Sequence, residues 1–271
     1  MPKIHSHLSG IYTYFTPYNP KGKNSMDSVK RNQKIFGSSE FITGGFKNKA
    51  NKSKKTPREF TCFEEILHAI IHGAGAALAV AATVLLILKT AGTAAIDVVS
   101  AALFGASLII LYSASCAYHT SCALYPESVP SKARELTKKF DHCCIFILIG
   151  GTYAPACLSS LGGALGWTVF AIVGGSCAFG FVLNCINVEK FRKISLALYI
   201  ITGWAIILVS IPFSKAIGTT GFSFLVLGGI LYTLGIVFYK IQSVRYFHVL
   251  WHLFVLSGSI MHYLMIYLYC Y

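Results

Sequence analysis

The sequence predicts an all-α membrane protein: a seven-transmembrane helix bundle with its N-terminus cytoplasmic and its C-terminus outside. Three observations predict it. The chain is 55% hydrophobic and only 12% charged, where a soluble domain carries about 25% charged residues. The charge is crowded at one end, because residues 1–60 hold 12 of the 23 Lys and Arg, with three acids, Asp27, Glu40 and Glu59. Beyond residue 60 the chain is a series of apolar runs, parted by short basic clusters or turn formers. Each run approaches or exceeds the about 20 residues that cross a bilayer.

Residues 1–60 are rich in Lys, Asn, Ser and Gly and lack a sustained apolar period. They are expected to form a disordered basic cytoplasmic tail, with no signal segment after Met1. A net charge of +13 is compatible with nucleic acid. Basic residues flanking membrane helices are, however, expected beside anionic lipid. Membrane lipid is therefore the expected partner, and nucleic acid is not.

Residues 61–271 make up the transmembrane domain. The first span is expected over 66–88, ended by Lys89, and the second over 98–119, finishing near His119 before Pro126 and Pro130. From His142 to Val188 there are 47 residues without Lys, Arg, Asp or Glu. That is room for two spans, 141–158 and 164–184, parted at Ser159-Ser160-Leu161-Gly162-Gly163. Glu189, Lys190, Arg192 and Lys193 form the next junction. The fifth span is expected over 194–213, broken near Pro212, followed by a turn with Lys215 and Gly218 to Gly221. The sixth is 222–239 and the seventh, after Lys240 and Arg245, is 247–269. Of the 11 Lys and Arg after residue 60, nine fall in the junctions on the tail's side. The excess of positive charge on the cytoplasmic side gives the orientation. It leaves open which membrane, plasma or internal, hosts the protein.

The nine cysteines form no C-x-x-C pair and mostly sit in apolar runs, so they read as small apolar helix residues. No inverted repeat is evident, which disfavours a repeat-built transporter.

The polar residues left inside the spans carry the functional argument. His248 and His252 are four apart, one turn from each other on one helix face. They open a run, 246–271, with no Lys, Arg, Asp or Glu. The topology sets them at the cytoplasmic end of span 7. His119 ends span 2 and Asp141 begins span 3 on the same side, and Ser115 lies one turn before His119. Titratable groups in a membrane are costly unless something engages them. Three neutral imidazoles with one open position match the ligand set of a catalytic zinc site. His68 and His72 are also four apart, with Glu64 nearby. That group reads as an interfacial capping and pairing cluster, a Glu/His/His metal site being the alternative. His262 lies about 15 Å deeper than His252 and reads as a buried structural residue.

These residues also carry a resemblance. Ser115-x-x-x-His119, Asp141 followed by Phe146-x-Leu-Ile-Gly-Gly-Thr-Tyr-x-Pro155, and His248-x-x-x-His252 with Trp251 and His262 resemble the hemolysin III family. That family is grouped with the progestin and adipoQ receptors, which include the adiponectin receptors. Glu65-x-x-x-x-x-x-His72-Gly73-x-Gly75 and Gly228-Gly229-x-x-Tyr232-x-x-Gly235 are similar too. Each motif is short; their order, over roughly residues 64–271, is specific. The resemblance implies seven helices, a cytoplasmic N-terminus and zinc (Zn2+) held by His119, His248 and His252. It sets Ser115 and Asp141 beside the metal. It also implies a lipid-amide hydrolase, ceramidase-like, with a receptor holding structural zinc and a pore-forming cytolytic protein as alternatives. In the hydrolytic reading Asp141 accepts a proton and Ser115 steadies the water or the developing oxyanion. The long basic tail departs from the short bacterial members.

Overall fold

The computed structural model describes residues 58–125 and 130–271. The basic tail expected over 1–60 lies outside the described residues, apart from Arg58, Glu59 and Phe60. All regular elements among the described residues are helical.

Helix α1, Cys62–Thr90, starts on a capping box: the Glu64 amide donates to the Thr61 hydroxyl, and the Thr61 amide donates back to Glu64 Oε2. This satisfies amides that a helix start leaves unpaired. Its last turn carries Lys89, whose ammonium donates to the Tyr267 carbonyl and lies 4.6 Å from the centre of that ring. Helix α2 spans Ala95–Leu124. It continues more than a turn past His119, where the sequence led us to expect its end. Tyr125, just before Pro126, is extended at φ −123° and ψ 91°, as the residue preceding a proline tends to be.

Helix α3, Lys132–Ala154, is capped by the Ser131 hydroxyl, which accepts from the Arg134 amide. It begins nine residues before the span expected from 141. At its other end Pro155 opens a π-helical turn, Pro155–Leu161. Proline lacks the amide that the α-helix would need and crowds the carbonyl one turn back. Helix α4, Gly163–Trp204, breaks at Asn187, where φ is −164° and ψ 104°. Its side-chain carbonyl accepts from the Lys190 amide at 2.9 Å, so Asn187 caps the limb that follows. A 3-10 segment, Ala205–Val209, joins it to α5, Ser210–Lys240. The helix is not interrupted at Pro212 as expected; it bends at Gly218, with φ +73°, within the turn expected over Gly218 to Gly221. Pro212 lies in the first turn of α5, where its missing amide has no helical acceptor. Gly218 takes a conformation that side-chain-bearing residues resist. Helix α6, Phe247–Tyr269, closes the chain.

Among the described residues, five helical segments are long and apolar enough to cross a membrane: Cys62–Thr90, Ala95–Leu124, Lys132–Leu161, Gly163–Lys240 and Phe247–Tyr269. Their surface is inverted relative to that of a soluble protein. Leu208 is 89% exposed and Ile211 70%, while Glu64 is 1% and His68 0% exposed. Apolar side chains facing outward meet lipid; polar groups turned inward keep partners that hydrocarbon does not offer. The protein is an integral, multi-pass membrane protein.

Helix α1 packs along α2 and closes against α6; α2 packs along α3, α3 against α4, and α5 along α6. Small residues allow this closeness. A Cβ on Gly228 would stand 2.2 Å from His262 Cδ2. A buried polar knot ties α3 to both limbs of α4: Asn184 donates to the His142 carbonyl at 3.0 Å and accepts from the Ser195 hydroxyl at 2.6 Å.

Candidate metal centre

Glu65, His68 and His72 recur at three- and four-residue intervals, so they share one face of α1. That face meets His119 of α2, and His248 and His252 of α6, because α1 packs against both helices. One ring nitrogen from each of His68, His119, His248 and His252 can be chosen so that all four lie within 4.8 Å of one another. His68, His119 and His252 are buried and His248 is half-buried.

The hydrogen bonds select which nitrogens are free. Glu65 Oε2 can only accept, so His119 donates through Nδ1 at 2.6 Å and His68 through Nδ1 at 3.4 Å. In the neutral rings this leaves the Nε2 lone pairs of both histidines unprotonated. His252 Nδ1 lies 2.8 Å from His72 Nε2. If His252 is the donor, its own Nε2 is likewise a free lone pair. His68 Nε2, His248 Nδ1 and His252 Nε2 are buried without any hydrogen-bond partner. Each such group costs about 1–3 kcal/mol when buried unpaired. Three orphaned nitrogens converging beside a carboxylate-held fourth ring fit a cation. In a tetrahedral site with bonds of about 2.0–2.1 Å, donor nitrogens stand about 3.4 Å apart. Small ring rotations would close the observed spacing to that.

The mouth of the centre is held by a second knot. Arg58 donates to both oxygens of Glu64, at 2.9 and 2.6 Å, and the Tyr246 amide donates to Glu64 Oε1 at 3.1 Å. The bonds to Glu64 raise the already high pKa of Arg58. Tyr246 has φ +64°, a left-handed conformation uncommon for a side-chain-bearing residue. Its bond to Glu64 fixes the start of α6, two residues before His248. Phe60 stacks on the His248 ring at 4.8 Å and meets His68 edge-on at 5.3 Å.

The histidines border a cavity of about 1190 Å³. Along α3 its lining runs from Lys132 to Tyr153, about 31 Å at 1.5 Å per residue. The charged end carries Arg58, Lys132 and Arg192, the middle carries the centre, and the far end is Leu148, Tyr153, Trp204 and Tyr232. Ser115 and Asp141 both line this cavity. Asp141 lies 3.6 Å from His142, and it is not one of the converging group. Neither Asp141 nor Ser115 is hydrogen-bonded to any of the four rings. His262 lines the far end and its Nε2 donates to the Leu225 carbonyl at 3.1 Å, a packing bond.

Sequence reasoning assigned α1's residues differently. His68 read as part of an interfacial pairing cluster with Glu64; the structure sets it among the other three rings. Glu64 instead caps α1 and holds Arg58 and Tyr246, and Glu65 engages the imidazoles. The signal was present: Glu65, His68 and His72 share a helix face at the end of span 1 that the topology sets beside His119 and His248.

Residues 60–263 match the model of the family described as Haemolysin-III related. The chain is 37% identical over 212 residues to the Hemolysin-3 homolog of Bacillus subtilis (strain 168), covering 78% of this chain and 96% of that protein. It is 40% identical over 200 residues to Hemolysin-3 of Bacillus cereus, covering 73% and 88%. It is also similar to the human monocyte to macrophage differentiation factor, at 26% identity over 185 residues, 64% of this chain and 71% of that one.

Proposed function

The chain belongs to the haemolysin-III related family, and from that premise we propose that it is a zinc-dependent membrane hydrolase that cleaves a lipid amide such as ceramide. The observation that carries the reading is the convergence of four imidazoles within 4.8 Å, inside an apolar bundle and beside a long cavity. An all-imidazole donor set suits zinc, copper, iron or nickel and does not suit magnesium or calcium. When bound, zinc acidifies water to a pKa of about 7 and polarises a carbonyl.

The chain's own residues supply the rest. Glu65 fixes His119 in the tautomer that offers Nε2. Asp141, on the cavity wall, accepts the proton given up by the attacking water and returns it to the leaving amine. Ser115, one turn before His119, donates its hydroxyl to the oxygen that gains charge. The apolar far wall receives an acyl chain and excludes water.

The topology is part of the proposal. Gly163–Lys240 is 78 residues long, and one crossing needs about 20. The breaks at Asn187 and Gly218 support division into three spans, over 163–186, 188–217 and 219–240, and so seven in all. The distribution of Lys and Arg then sets the N-terminus in the cytoplasm, the C-terminus outside and the centre under the cytoplasmic face.

The test is metal content and ceramide hydrolysis by detergent-purified protein, wild type beside His248→Ala/His252→Ala. We expect about one zinc per chain and measurable turnover, both lost together in the double variant. Hydrolysis retained without metal would refute the mechanism. The relatives' name, Hemolysin-3, favours a second reading, membrane lysis. Dye release from liposomes by wild type and the double variant alike would establish a lytic activity independent of the histidines.

A further inference from the structure

A site built from His119, His248 and His252 alone would leave one coordination position to water. We infer that His68 is a fourth metal ligand in this chain, one that closes this position at rest and yields it to an incoming ligand. The inference rests on the proposed function only in needing a metal at the centre.

Three observations converge on His68. Its ring centre lies 4.7 Å from that of His119, 4.8 Å from His248 and 5.0 Å from His252, so it stands among the other rings and not behind them. It is completely buried, and its Nε2 has no hydrogen-bond partner. Its Nδ1 faces Glu65 Oε2, the same oxygen that holds His119 Nδ1. Glu65 therefore presets both rings to offer Nε2, the usual arrangement for a carboxylate behind a metal-binding histidine. Asp141, which also lines the cavity, is not in the converging group.

The same distances say why His68 is the ligand that leaves. Its bond to Glu65 is 3.4 Å, against 2.6 Å for His119, at the long limit of a useful hydrogen bond. His252 is braced by His72 at 2.8 Å. Of the three rings held by a hydrogen bond, His68 is held most loosely, and His248, which has none, is instead covered by the stacked Phe60 ring at 4.8 Å. A closed four-ligand shell holds a metal without reacting, whereas a catalytic shell keeps a position open. A substrate oxygen or small anion must therefore displace His68, which makes this ring a gate on the centre.

The test uses the full-length protein in detergent, loaded with cobalt(II), whose visible spectrum reports its ligands. Wild type and His68→Ala are titrated with azide. We expect His68→Ala to retain cobalt and to bind azide at least tenfold more tightly than wild type. Equal azide affinity in the two proteins would overturn the inference, as would complete loss of cobalt from a folded His68→Ala, since a gate is dispensable for holding the metal. X-ray absorption of the zinc-loaded wild type counts imidazoles without any variant: four support the inference and three overturn it. If the wild type takes up neither metal, the proposed function fails at its first step, an outcome distinct from a metal that binds with three imidazoles.

Discussion

Replacing Glu65 by Gln isolates the contribution of one carboxylate. The substitution keeps the size of the side chain and removes its charge. In the native protein Oε2 accepts from His119 Nδ1 at 2.6 Å and from His68 Nδ1 at 3.4 Å. The short, charge-assisted bond contributes about 1.5–3 kcal/mol, and the long one little. Glutamine also offers an NH2 group, which can bond the opposite tautomer of His119 and leave its hydrogen on Nε2, where it blocks metal. Loss of a hydrogen bond behind a metal-binding histidine typically lowers affinity about 10–100-fold. About 1.5–3 kcal/mol corresponds to roughly the same range, so we expect Glu65→Gln to bind zinc 10–100-fold more weakly. The assay is chelator competition on detergent-purified protein, with thermal unfolding followed by circular dichroism to confirm an intact bundle. Affinity within threefold of wild type would refute the assignment of Glu65 as the group that orients His119.

Three further outcomes follow from the same geometry. His72→Phe removes the partner of His252 Nδ1 at 2.8 Å and should weaken zinc about tenfold by the same competition assay, with the other ligands untouched. Glu64→Ala removes the α1 cap and the bonds to Arg58 and the Tyr246 amide. It should cost about 1–2 kcal/mol, seen as a lower Tm, and should weaken metal binding indirectly by freeing the start of α6. Gly218→Ala meets no atom within 4 Å of the new Cβ, so its cost is that of φ +73° alone. This is about 1–3 kcal/mol, measured as a fall in Tm with metal affinity unchanged.

The helical class and the membrane setting were legible because they depend on composition. A run such as 142–188, without a single charge, has few alternatives to spanning lipid. The breaks inside the long helices were less legible. Two interruptions were expected here, and only one is present: Pro212 sits harmlessly in a first turn, while the turn expected over Gly218 to Gly221 is the bend at Gly218. Nothing local in the sequence separates a glycine that bends from one that packs. In the centre, His119, His248 and His252 were visible because each lies in an apolar run without Lys, Arg, Asp or Glu. His68 and Glu65 were obscured by company. They lie beside Glu64 and the cap of α1, where charged residues are expected at any helix start. Which of two adjacent, buried glutamates meets the imidazoles depends on the rotation of α1 against α2 and α6, and that is a property of packing.

The four rings come from α1, α2 and α6, so the centre joins early and late parts of the chain across everything between them. His252 follows His119 by 133 residues, about 7–27 s of ribosomal elongation at 5–20 residues per second. Throughout that interval the first helical hairpin waits in the bilayer with Glu65, His68 and His119 awaiting their counterparts. A cation proposed for this centre would therefore be retained only by a molecule whose final helix has arrived and docked, and a prematurely terminated chain would lack two of the four rings.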